Sequence, residues 1–145
     1  MGSKRTNENV RIQQMGKFWE STIATLNEDK CPVVVKSLLS VLPIESKAFH
    51  AKWGGGEIWT QIHDFPKYAN ENETCLPSIG EIIIMPQKDN NVAFDLWYDR
   101  GWCFGPNGFM NGAAIGMITE GLTQFAAEAV KLSTEGAKMI RIEEI

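Results

Sequence analysis

Residues Phe49-His50-Ala51-Lys52-Trp53-Gly54-Gly55-Gly56-Glu57-Ile58-Trp59 constrain the fold more than any other stretch of the chain. Two runs suited to strands flank three consecutive glycines, which permit an abrupt turn. No helix follows the glycines, so they form a tight turn and not a phosphate cradle. The same eleven residues hold a histidine, a lysine, a glutamate and two tryptophans. Such crowding of polar and aromatic groups on a hairpin reads as the wall of a pocket.

The pattern on either side is also one of short strands. Val10–Gln14 alternates, Met15-Gly16-Lys17 can turn, and Phe18–Leu26 sets Trp19, Ser21, Ile23 and Thr25 against the opposite face. A period of two with β-branched and aromatic residues predicts a hairpin. Pro32 suits a first helical turn, with Glu28 and Asp29 upstream to favour its positive end. Val33–Leu42 then carries a helical apolar face that Pro43 ends.

Glu45–Trp53 and Glu57–Ile62 form the glycine hairpin, and His63–Pro77 is loop-like. Gly80–Pro86 is a continuously apolar strand expected to be buried on both faces, and Val92–Tyr98 is a further strand. Arg100–Asn111 is irregular, Ala113–Ile118 resumes as a strand, and Leu122–Ser133 predicts a helix stopped by Gly136. Met139–Glu144 closes the order β-β-α-β-β-β-β-β-α-β. Hairpins with two helices imply a closed or nearly closed barrel, an α+β fold that is mainly β.

Bulk properties exclude several classes of function. With 145 residues the chain is expected to form one domain over 10–145, after a disordered polar leader at 1–9. A net charge of −4 lacks the basic face that nucleic acid requires. No apolar run has the length of a membrane span, and the leader has no apolar core of a signal peptide. Cys31, Cys75 and Cys103 are far apart, and no Cys/His spacing suits zinc. These features favour reduced thiols in a cytoplasm, with no metal or organic cofactor.

One series of segments carries a resemblance. Leu26-Asn27-Glu28-Asp29-Lys30-Cys31-Pro32 before the first helix looks like the opening of cyclophilin-type barrels. Leu42-Pro43-Ile44-Glu45-Ser46, His50-Ala51-Lys52-Trp53-Gly54-Gly55 and Glu57-Ile58-Trp59 follow, then Glu71-Asn72-Glu73-Thr74 and Pro77-Ser78-Ile79-Gly80-Glu81. Asn111-Gly112, Glu120-Gly121-Leu122 and Glu135-Gly136-Ala137 complete the order. The series resembles a bacterial and archaeal group of cyclophilin-like proteins, the domain-of-unknown-function 3830 family. Two departures are a shorter Glu-to-Trp spacing at 57–59 and Asn-Gly in place of Gly-Asn at 111–112.

The resemblance implies a cyclophilin-like β-barrel with two helices. It also implies that prolyl isomerisation is the weakest functional reading, since Ala51 stands where true cyclophilins carry an arginine. Lys52 is one residue further on, which points to the other face of a strand, and lysine lacks arginine's planar fork.

The residues themselves suggest acid–base chemistry. A histidine such as His50 is the side chain suited to acid–base work near neutral pH, and Glu45 and Glu57 sit in apolar strands where a carboxylate needs a partner. Glu81 reads as a ligand of backbone amides at a turn, and His63 as exposed. Trp53, Trp59, Trp102 and Phe104 supply apolar walls, with Asn72 and Asn111 for orienting hydrogen bonds. Cys103 is a poor nucleophile without an adjacent histidine.

The first expectation is therefore a cofactor-independent hydrolase or isomerase acting on a small amide-, imide- or carboxylate-bearing metabolite. His50 would shuttle the proton, with Glu45 or Glu57 as its partner. A non-catalytic binding module or accessory subunit, using its aromatic patch against a partner or a second copy, is the alternative.

Overall fold

A computed structural model describes residues 8–15 and 22–145 of the chain. The remainder of the expected leader, the turn at 16–17 and the first part of the Phe18–Leu26 strand lie outside the described residues. The elements follow the order β1 (Asn9–Gln14), β2 (Thr22–Leu26), α1 (Pro32–Val41), β3 (Ile44–His50), β4 (Gly55–Ile62), β5 (Glu73–Thr74), β6 (Glu81–Pro86), β7 (Val92–Gly101), β8 (Phe104–Gly105), β9 (Gly108–Phe109), β10 (Gly112–Glu120), α2 (Leu122–Ala129), α3 (Leu132–Glu135) and β11 (Lys138–Glu144).

The long strands pair in the order β2-β1-β11-β3-β4-β7-β6-β10, and β10 returns to β2. The sheet is thus an eight-stranded closed barrel, which leaves no edge among those strands. Closure follows from alternation: Val10 and Ile12, Ala24 and Leu26, Ile82 and Ile84, Phe94 and Leu96, and Ile140 and Ile142 all point into one buried cluster. α1, α2 and α3 pack Val34, Val35, Leu38, Phe125, Ala129 and Leu132 onto it.

A second cluster lies on the outer face of the sheet, where Ile83, Met85, Ala93, Trp97, Cys103 and Ala114 pack together. The segment after β7, which contains Cys103, covers it. This is why β6 is apolar at consecutive positions: Ile82 and Ile84 enter the barrel while Ile83 is buried outside it.

Two expectations are corrected in detail. The segment 100–111 is not wholly irregular, because β7 extends to Gly101 and β8 and β9 form a small hairpin. The helix expected at 122–133 divides into α2 and α3. Between them the bonds Lys131 N–H to Glu128 O, Ser133 N–H to Val130 O and Thr134 N–H to Lys131 O tighten the ladder to three-residue spacing. Gly136 ends it with φ 90°.

At the start of α1 an acid distant in sequence acts as well. The carboxylate of Glu71, 37 residues from Val34, accepts from Val34 N–H at 2.9 Å and from Val33 N–H at 3.0 Å. A charged acceptor on free helix amides holds both by hydrogen bonds and by the helix dipole. Glu71→Ala should therefore lower stability by about 1–2 kcal/mol in urea denaturation, and Glu71→Gln by roughly half as much. Equal stability of E71A and wild type would refute the long-range cap.

Candidate functional site

The outer face of β4 and β7 holds two carboxyl groups in otherwise apolar surroundings. Glu57 faces Trp97 across the strand pair, and Trp59 faces Asp95, so the two acids are diagonal neighbours on one face. Glu57 is 8% exposed and Asp95 5%. The two carboxyls lie close enough on this buried face for each to perturb the other's titration.

Burial raises both groups, Asp95 to about 7 and Glu57 to about 10. The negative charge of Asp95 lifts Glu57 further, whereas the bond from Glu57 partly offsets the rise at Asp95. Both shifts have the same direction, so near neutral pH the pair keeps at least one proton. Among the described residues neither acid forms an ion pair.

Both acids line an open cavity of about 840 Å³, a volume suited to a small ligand. Phe49, Trp53, Trp59, Phe104 and Met110 supply apolar walls, and His50 stands at the rim. Phe49 and Trp59 pack with ring centres 5.3 Å apart. Trp53 is 57% exposed, a large ring left at the mouth.

The glycine triplet contributes more than a turn. A Cβ on Gly54 would lie 3.0 Å from the Trp97 ring and 3.2 Å from Glu57 Oε1. Gly55, with φ 106°, starts β4 next to a register shift in its pairing with β7. These residues let the backbone lie directly beside the acid pair.

The structure brings only part of the expected site together. His50 pairs with Ile58 across β3 and β4, so it faces away from Glu57. Its Nδ1 donates to Ala51 O at 2.8 Å, which leaves Nε2 to accept from Tyr98 OH at 2.5 Å. Both ring nitrogens are occupied. Glu45 lies five residues back along β3, roughly 16 Å away, and pairs with Arg141 at 3.5 Å. Neither expected partner therefore meets the imidazole.

Trp53, Trp59 and Phe104 do line the cavity, but Trp102, Asn72 and Asn111 do not. The Trp102 N–H donates to Gly54 O at 2.8 Å and its ring is half exposed. The Asn72 amide donates to Ala114 O at 2.9 Å, holding β10 in place. Asn111 is exposed just before β10. Glu81 accepts from Ser78 N–H at 3.0 Å, as its turn position suggests.

Asp95 is the functional candidate that sequence reasoning passed over. Its signal was available: it is the one charged residue in the apolar run Val92-Ala93-Phe94-Asp95-Leu96-Trp97. Cys103 is buried beside the acids, and desolvation followed by the Asp95 and Glu57 charges pushes its thiol up to about 12. It is inert as a nucleophile near neutral pH. Among the described residues no group of three or more His, Cys, Asp or Glu could hold a metal, and no helix is long and apolar enough to cross a membrane.

Comparison with known proteins places this geometry in context. The sequence matches a family model described as protein of unknown function (DUF3830) over residues 16–144. No curated protein matches it. By structure the chain is similar to McbB in complex with tryptophan, with a TM-score of 0.68 and 15% identity. That likeness covers 92% of this chain but only 44% of the McbB chain. The hypothetical protein AF2241 from Archaeoglobus fulgidus is similar over 100% of both chains, with a TM-score of 0.64 and 18% identity. The Mimivirus cyclophilin is similar over 99% of this chain and 90% of its own, with a TM-score of 0.58 and 15% identity. At such identities the likeness is one of fold, a cyclophilin-like barrel.

Proposed function

The chain belongs to the DUF3830 family of proteins of unknown function, and we propose that it binds a small metabolite in the outer-face cavity and transfers protons there without a cofactor. The observation that carries this reading is the Glu57–Asp95 pair, two buried acids keeping a proton on the wall of an open pocket. Such a pair offers a donor and an acceptor side by side, so one site can protonate and deprotonate a ligand. An amide, imide or carboxyl group presents the matching edge. Phe49, Trp59 and Phe104 would hold the apolar body of the ligand.

In this reading Asp95 is the base and Glu57 the acid. His50 takes no proton-transfer role in this reading, because both its ring nitrogens are engaged by Ala51 O and Tyr98 OH. The fold likeness to McbB in complex with tryptophan supports an aromatic small-molecule ligand. The three free cysteines accord with the reducing cytoplasm expected for the chain.

A non-catalytic binding module remains the second reading, favoured by the exposed rings of Trp53 and Phe109 at 57% and 65%. Those rings could also seat a partner subunit or second copy. Prolyl isomerisation is the least supported, because Ala51 supplies no side-chain donor.

A thermal-shift screen of small amides, imides and carboxylic acids tests the proposal, since a ligand selective for the native state raises Tm. Hits should lose most of their shift in Trp59→Ala. Hits that are chemically altered, or that exchange carbon-bound protons with deuterated solvent, should react at least ~100-fold more slowly with Asp95→Asn. Hits that bind W59A as well as wild type would place the ligand elsewhere. Binding without any proton exchange would leave the module reading.

A further inference from the structure

We infer that the ligand of this cavity carries a cationic nitrogen, an ammonium or amidinium group, which sits against the Glu57–Asp95 pair with its apolar body between the rings of Phe49, Trp59 and Phe104. The inference rests on the proposed site and names its ligand class. Two buried carboxyls diagonal on one strand face do not ionise together, so at pH 8 the pair holds a single negative charge. More than nine-tenths of each side chain is buried, and both still line the cavity.

A buried charge is costly unless it is paired. Among the described residues no ion pair involves either acid. Lys52, an exposed residue, also lines the cavity, but it forms no ion pair with either acid. Among the described residues the acid pair thus has no ion-paired partner.

The walls add an independent argument. Aromatic faces carry negative potential at their centres, so rings around a cavity attract a cation and accept the apolar carbon beside it. Trp is the strongest such ring, and Trp53 and Trp59 both line this cavity. A ligand whose only charge is negative would meet the acid pair and the ring faces with the wrong sign, so a carboxyl group on the ligand is accompanied by the cationic nitrogen. A neutral ligand would gain hydrogen bonds but leave the charge unmatched.

Isothermal titration at pH 8 with phenethylamine, phenylacetamide and phenylacetate tests this, because the three share one aromatic body and differ in charge. The amine should bind at least ~10-fold more tightly than the amide, and the acid most weakly. Glu57→Gln keeps the Asp95 charge and should preserve that order. The double variant Glu57→Gln/Asp95→Asn removes the charge and should abolish the amine's advantage. If the amide binds wild type as tightly as the amine, the cation inference falls while the binding site stands. If none of the three binds, both fall. An amine preference that survives in the double variant places the cation elsewhere and overturns the inference.

Discussion

Stability should fall steeply as pH rises from 5 to 8, and the fall should vanish when Glu57 and Asp95 are replaced together by Gln and Asn. Both acids are raised in the native state, to about 10 for Glu57 and about 7 for Asp95. In the unfolded chain such carboxyls titrate near 4. Between those limits the native protein binds more protons than the unfolded one, so unfolding is increasingly favoured as protons become scarce. The stabilising contribution is complete below pH ~4 and is lost progressively as pH climbs through the native values. Each retained proton changes stability by up to about 1.4 kcal/mol per pH unit. Solvent access through the cavity and relaxation of the pair reduce that limit, leaving a loss on the order of 3 kcal/mol between pH 5 and 8.

Urea midpoints at several pH values provide the measurement, with wild type minus the double variant isolating the pair from other carboxyls. Most paired surface acids, such as Glu143 beside Arg11, work in the opposite sense, favouring stability at higher pH. A wild-type curve that rises from pH 5 to 8, or one parallel to that of the double variant, would exclude a shared buried proton. The double variant should also be the more stable protein at pH 8. A buried acid pair retained at such a cost in stability is what a working proton-transfer site would require.

The barrel was legible because its cause is local. Alternation in Val10–Gln14 encodes which face is buried, the apolar run Val92–Trp97 encodes a strand buried on both faces, and the ordered short segments encode the family. The acid pair was half legible. Glu57 stands out beside three glycines, but its partner depends on how β4 registers against β7, and register is not written in either strand alone. The same gap explains His50. Its partner is Tyr98, 48 residues away, rather than a nearby glutamate. Glu71 shows the rule at the first helix, where two adjacent acids looked adequate and a distant one supplies the cap. Long-range polar pairing is what hydrophobic pattern leaves undetermined.

The glycines are where this limit has the largest structural consequence. Gly101→Ala should cost about 3 kcal/mol, near the upper end for overpacking, and lower Tm by roughly 6–12 °C for a chain of this size. A Cβ at Gly101 would lie 2.1 Å from Gly54 O and 2.5 Å from Cζ3 of Trp97. Neither neighbour can yield cheaply. The Gly54 carbonyl already accepts from Trp102 N–H at 2.8 Å, and Trp97 is fully buried. Relief would push the Gly54 backbone away from the Glu57 carboxyl, so the variant should also bind the pair's proton less tightly and show a shallower loss of stability with pH. Gly105→Ala is the matched control. Its Cβ would meet only the Met110 side chain, at 2.5 Å from Sδ, and a flexible thioether can move aside at a cost below about 1 kcal/mol. Equal denaturation midpoints for G101A and G105A would mean that the glycines are only a turn. A large gap, confined to G101A and accompanied by the altered pH dependence, would show that close backbone approach holds the acid pair in place.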